Sequence, residues 1–171
     1  MRDLWRRAIP FPANRSTTSF MARRVEPRRH RTVAKRKTPL EAYVDTSALI
    51  AFLDRSDSYH VTFERLFSSP PALVTSALVV AEGHGWFLRR YDRHRAMEFL
   101  AFLQSLPSLR VQAFEDAELL KVRRVLARFS DQNLTLADAH GLVVMKDRRN
   151  AVCWSTDRHL SLTGVDLAIA P

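Results

Sequence analysis

From residue 40 onward, short apolar runs alternate with segments of helical period, and an acid recurs where a run meets a helix. The first run, Ala42-Tyr43-Val44, stops at Asp45, and apolar residues resume at Ala48, Leu49, Phe52 and Leu53. Those spacings of one, three and four suit one face of a helix, so the stretch reads as strand, tight turn and helix. In an open α/β sheet, ligands gather outside the carboxyl ends of the strands, which makes Asp45 the first candidate site residue. An Asp before a helix is equally an N-cap that satisfies free backbone N–H groups, and the residue alone leaves both readings open.

The alternation continues. Asp57-Ser58 opens a second helix that Ser68-Ser69-Pro70-Pro71 ends, and Ala72-Leu73-Val74-Thr75 is a second strand. Ser76 caps a helix whose Leu78, Val79, Trp86 and Phe87 form an apolar stripe with Glu82 beside it, and an acid so placed needs a partner. A helix follows through Met97, Leu100, Phe102 and Leu103 to Pro107, then a third strand over 109–114. Glu115-Asp116 starts an amphipathic helix through Leu119, Val122, Val125, Leu126 and Phe129, whose Lys121, Arg123, Arg124 and Arg128 read as a solvated face.

Thr135-Leu136-Ala137-Asp138 has the form of a capping box opening a helix through Val143-Val144-Met145. Val152-Cys153-Trp154 is a fourth strand, and Asp157 follows its end as Asp45 follows the first. Val165–Ile169 would be a fifth, edge strand with Asp166 at the surface. The pattern is α/β. In a parallel sheet, Asp45, Glu82, Asp138 and Asp157 would face one side, where a bound cation relieves their repulsion. Oxygen-only donors suit Mg²⁺, with Mn²⁺ as substitute, and such ions activate water against a phosphodiester.

Composition limits the setting. No apolar run is long enough to span a membrane, and the single cysteine, Cys153, excludes an internal disulfide, so a reducing, cytoplasmic environment is expected. The overall charge of +9 is local, because residues 1–39 hold 12 Lys and Arg against Asp3 and Glu26, and the remaining residues carry 15 against 16. Residues 1–39 therefore read as a basic, disordered arm and residues 40–171 as the folded domain. The arm is open to four readings: nucleic-acid contact, solvated linker, transit peptide, or an extension upstream of a start at Met21. A phospho-acceptor receiver domain would want an acid next to Asp45, and Tyr43-Val44 offers none. With no glycine-rich phosphate loop, a Rossmann or P-loop fold is excluded.

Residues 41–171 resemble a PIN domain of the VapC toxin ribonuclease type. The resemblance rests on Val44-Asp45-Thr46-Ser47-Ala48-Leu49, on Thr75-Ser76 through Val80-Ala81-Glu82, on Leu134-Thr135-Leu136-Ala137-Asp138-Ala139 and on Ser155-Thr156-Asp157-Arg158-His159-Leu160, in that order. It differs in Leu160, where an aromatic is usual, in Gly83 and Gly85, which would loosen the Glu82 helix, and in His140, which has no expected catalytic part. The resemblance implies a three-layer α/β/α sandwich around a parallel sheet of four or five strands. It also implies Mg²⁺-dependent endonucleolytic cleavage of RNA, with Asp45, Glu82, Asp138 and Asp157 holding the metal, and a toxin restrained by a small antitoxin protein and paired as a homodimer. The helices around Phe99-Leu100-Phe102-Leu103 and Leu119-Val122 are the expected partner surfaces. Thr46 and Thr156 would orient a carboxylate or serve local turns, Arg158 and His159 would meet a phosphate or solvent, Asp131 would serve the loop before Thr135, and His60 would start a helix. The competing functions are a catalytically silent RNA-binding or regulatory module and a housekeeping RNA-processing nuclease.

Overall fold

The computed structural model describes residues 41–150 and 152–169, all within the unit Arg36–Pro171. The basic arm expected over residues 1–39 lies outside the described residues. Five strands, β1 (Glu41–Val44), β2 (Ala72–Ser76), β3 (Leu109–Gln112), β4 (Val152–Trp154) and β5 (Asp166–Leu167), form one sheet in the order β3-β2-β1-β4-β5. Every pairing is parallel. Six helices connect them: α1 (Thr46–Leu53), α2 (His60–Ser68), α3 (Ala77–Arg90), α4 (Arg93–Ser105), α5 (Asp116–Arg128) and α6 (Leu136–Arg148).

The central strand is apolar after Glu41. Ala42, Tyr43 and Val44 are fully buried, as expected of a strand flanked on both edges and covered on both faces. Beyond Val44, Phe52, Phe67, Phe102 and Trp154 interlock, with Phe67 edge-on to Trp154 at 5.0 Å and Phe52 stacked on Phe102 at 5.1 Å. Such pairs add about 0.5–1.5 kcal/mol each beyond their area burial. Against Tyr43 lies Gly141 of α6, so close that a Cβ there would stand 2.8 Å from the tyrosine oxygen. Val122, Ala139 and Val143 join α5 to α6 over Phe114, Val125 and Leu126.

The chain builds outward from β1 through β2 to β3, then crosses to β4 on the other side. The change of direction lies between β1 and β4, where Asp45 N–H donates to the Trp154 carbonyl at 3.0 Å. An open sheet binds ligands at such a switch point.

Some boundaries differ from the sequence reading. Helix α2 begins at His60 rather than Asp57, because the Asp57 carboxylate accepts the Tyr59 N–H at 2.8 Å and closes a turn ahead of it. Strand β3 ends at Gln112, with Val111 52% exposed on the edge, and β5 has two residues because β4 has only three to pair with. Gly83 does not loosen α3, which runs unbroken from Ala77 to Arg90. A Cβ at Gly83 would lie 2.5 Å from Phe99 Cζ, so the glycine admits the α4 ring. Of the residues named for the expected partner surfaces, Phe99, Phe102, Leu103 and Val122 belong instead to the core, whereas Leu119 is exposed, as are Met97 and Leu120 of the same helices.

Candidate active site at the carboxyl ends of the strands

Asp45 is both cap and buried acid. As N-cap of α1 its Oδ2 accepts from Ser47 N–H at 3.2 Å, Ser47 Oγ at 2.7 Å and Ser155 Oγ at 2.9 Å. Burial pushes its carboxyl above the usual range, and the serine hydrogen bonds oppose that shift. Ser155 Oγ also accepts the Asp157 N–H at 2.9 Å, and Ser47 Oγ accepts the Thr156 N–H at 3.0 Å. Two serines thus stitch the loop after β4 to the loop after β1.

Glu82 sits in the second turn of α3, which Ser76 caps by accepting the Leu78 N–H at 3.0 Å. Its Oε2 accepts the Thr46 hydroxyl at 2.5 Å, the partner that an acid beside an apolar stripe requires. Partial burial raises its carboxyl, the Thr46 bond opposes this, and the charges of Asp45 and Asp138 raise it further. Asp45 and Asp138 therefore both lie within electrostatic reach of Glu82. Thr46 performs the carboxylate-orienting task expected of it.

Asp138 completes a capping box. Its Oδ2 accepts from Thr135 N–H and Thr135 Oγ, both at 2.8 Å, while its own N–H donates to Thr135 Oγ at 3.1 Å. Asp157 caps the 3-10 turn Arg158–Ser161, accepting the His159 N–H at 2.9 Å with His159 Nδ1 also at 2.9 Å. As these carboxylates lie, no three His, Cys, Asp or Glu side chains among the described residues stand close enough to hold an ion. Asp138 and Asp157 are turned to their own helix starts.

The other singled-out residues sort readily. Arg158, Thr156 and Asp166 are exposed, Asp131 bonds Gln132, and His60 opens α2 with Nδ1 3.0 Å from the Ala51 carbonyl. His140 is a brace: fully buried, its Nδ1 is 2.7 Å from Ser76 Oγ and its Nε2 2.9 Å from Glu118 Oε2, tying α6 to the cap of α3 and the first turn of α5. Sequence reasoning missed Ser47, Ser155 and Tyr43. The Tyr43 hydroxyl is buried without a hydrogen-bond partner among the described residues. Burial holds its pKa well above normal, with Asp45, Asp138 and Glu82 adding to the shift.

The profile of the PIN domain matches residues 42–165. The chain belongs to the PIN domain family. Among PIN relatives, ribonuclease VapC26 of Mycobacterium tuberculosis is 29% identical over 116 residues, spanning 67% of this chain and 85% of that protein. The crystal structure of VapC20 from Mycobacterium tuberculosis, described as a toxin that cleaves the sarcin-ricin loop, superposes with a TM-score of 0.69. It shares 25% identity, covering 76% of this chain and 99% of its own. The five-stranded parallel sheet with helices on its faces is the PIN architecture.

Proposed function

We propose that this PIN protein is a metal-dependent endoribonuclease of the VapC type, the toxin of a toxin–antitoxin pair. The observation that carries the reading is the pressure that the charges of Asp45 and Asp138 put on the Glu82 carboxyl beside the sheet's switch point, in a fold shared with VapC ribonucleases. Acids held together at such a cost are common at functional sites.

The donor chemistry fits a hard divalent ion. All four acids offer oxygen, two have raised carboxyls, and an unpartnered tyrosine hydroxyl lies buried within reach of three of their charges. Asp45, Glu82, Asp138 and Asp157 would hold Mg²⁺, with Mn²⁺ as substitute. When bound, the ion would supply charge neutralisation at the phosphodiester and activation of water. The chain's own part is positioning: Ser47 and Ser155 fix the Asp45 carboxylate, Thr46 fixes Glu82, and His140 braces the helices that carry Glu82 and Asp138. Release of Asp138 from Thr135 and of Asp157 from His159 would complete the ligand set.

The partners proposed are an RNA substrate, a small antitoxin covering the acids, and a second copy of this chain, in a cytoplasmic setting. The basic arm would add RNA phosphate contacts. Among the described residues no helix is long and apolar enough to cross a membrane.

The test is cleavage of total RNA by the purified full chain with Mg²⁺, with chelator, and after Asp45→Asn, with the new RNA ends sequenced. Cleavage that needs Mg²⁺ and Asp45 is expected, together with slowed growth on expression alone and its relief by the neighbouring antitoxin gene. Cleavage indifferent to both would overturn the metal-site reading. RNA binding without cleavage would indicate a silent module, and harmless expression of an active enzyme a housekeeping role.

A further inference from the structure

The basic run on α5 does more than face solvent. Lys121, Arg124, Val125, Arg128 and Phe129, spaced by three, four, seven and eight, share one side of α5. That side forms a cleft against Leu142, Val143, Lys146 and Asp147 of α6, with Thr163 also in its lining. Lys121 is paired with Asp147 across the cleft at 2.6 Å. Arg124, Arg128 and Lys146 form no ion pair among the described residues. The Arg128 guanidinium lies 5.2 Å from the centre of the Phe129 ring, so cation–π attraction holds it at the cleft edge.

Three uncompensated cations along an apolar floor are a local feature, since residues 40–171 carry 15 Lys and Arg against 16 Asp and Glu. The cavity, about 220 Å³, is smaller than the roughly 300–1,000 Å³ of sites that engulf a small molecule. It suits a polymer passing over it. A single nucleic-acid strand alternates anionic phosphates with flat, partly apolar bases, matching cations placed around Phe129 and Val143. Helix α6 carries Asp138 in its first turn and Lys146 in its last, eight residues and about 12 Å apart along the axis. A strand held at the cleft is thereby held in fixed relation to the acids.

We propose that the α5–α6 cleft is an RNA-backbone subsite in which Arg124, Arg128 and Lys146 take phosphates of single-stranded RNA away from the scissile bond. The proposal rests on the ribonuclease reading above, but its test needs no cleavage. The full chain, with its basic arm, is titrated in EDTA against a labelled single-stranded RNA of mixed sequence over a range of KCl concentrations. Each lost phosphate contact should flatten the log–log salt dependence by about 0.7. Arg124→Gln and Arg128→Gln should each lower the slope by that amount and the double variant by about twice as much. Arg123→Gln, on the same helix but outside the cleft, should leave it unchanged.

Equal slopes in all variants would overturn the proposal, as would an Arg123→Gln effect matching that of Arg124→Gln, which indicates diffuse attraction. Weaker binding of an acidic peptide with RNA binding unaltered would also overturn it and assign the cleft to a protein partner. The expected slopes from a wild-type chain that cleaves no RNA in Mg²⁺ would support the subsite while removing the nuclease reading.

Discussion

Thr46, the first residue of α1, donates its hydroxyl to Glu82 Oε2 across 36 positions of chain at 2.5 Å. The bond places the first acid's helix and the second acid's helix in one register, since Thr46 follows Asp45 directly. A hydrogen bond to a charged group contributes about 1.5–3 kcal/mol, which corresponds to about 10- to 150-fold in rate if its whole effect is on positioning. Thr46→Val should lower kcat on that scale while the fold persists, and Thr46→Ser, which keeps the hydroxyl, should restore most of it. Equal activity in the two variants would show that the bond does not position Glu82.

Asp45 and Glu82 both have carboxyls raised above the ordinary range, chiefly by burial. Between that range and the raised values the native state binds more protons than the unfolded chain. Their contribution to stability is therefore present in acid and lost as pH rises. Glu41, held low by its hydrogen bond to Arg148, works in the opposite direction and loses its contribution on acidification. Asp45→Asn keeps the cap, because Asn caps about as well as Asp, and removes one raised carboxyl. In EDTA, urea unfolding should show the variant gaining on the wild type as pH rises above the normal carboxylate pKa of about 4. Added Mg²⁺ should stabilise the wild type more than the variant. A gap independent of pH would mean that burial of this charge is not costing stability.

Gly83 and Gly85 lie two residues apart on α3 and should respond with opposite signs to alanine. At Gly83 the new methyl would meet Phe99, which is fully buried and stacked on Phe87 at 5.3 Å, leaving the ring nowhere to go. Overpacking of this kind costs about 1–3 kcal/mol, more than the roughly 0.5–1 kcal/mol that helix propensity returns. At Gly85 the nearest group is the Arg89 guanidinium at 3.1 Å, the free end of a long exposed side chain that can move aside. Denaturant midpoints should fall for Gly83→Ala and rise for Gly85→Ala. A rise for both would mean that Phe99 has room that the packing does not show.

The main features of the fold were legible because they are local. Tyr43 and Val44 announce a strand by apolarity, and Ser76, Asp45 and Thr135 announce helix starts by the hydroxyl or carboxylate that caps them. What escaped depends on who meets whom. Ser47 and Ser155 carry no pattern of their own, although Ser47 lies two residues after Asp45 and Ser155 two before Asp157, a spacing from which side chains reach a neighbouring loop. Phe99 and Val122 look like any exposed stripe until α3 and α6 cover them. The start of α2 moved because the Asp57 side chain prefers a turn to a helix N-terminus. The four acids could be read in order, but whether each points at a neighbour or at its own helix is a rotamer choice that sequence does not encode.

Asp138 poses that choice most sharply, since one carboxylate closes the capping box with Thr135 and also raises the Glu82 carboxyl by its charge. Two substitutions separate the roles. Thr135→Ala removes the hydroxyl that accepts the Asp138 N–H at 3.1 Å and donates to its carboxylate at 2.8 Å, a loss of about 1 kcal/mol for a cap of this kind, and leaves only the backbone N–H of residue 135 to hold the acid away from Asp45 and Glu82. Asp138→Asn keeps an oxygen for the Thr135 N–H and removes the charge. If Asp138 belongs to the catalytic set, Thr135→Ala should be less stable yet active well below its melting temperature. Asp138→Asn should stay folded and lose about 100-fold or more in cleavage, the scale on which a positioned charge acts. Melting temperature and initial cleavage rate measured on both variants distinguish the cases. A stable, fully active Asp138→Asn would reduce the residue to a helix cap and confine the acid site to Asp45, Glu82 and Asp157.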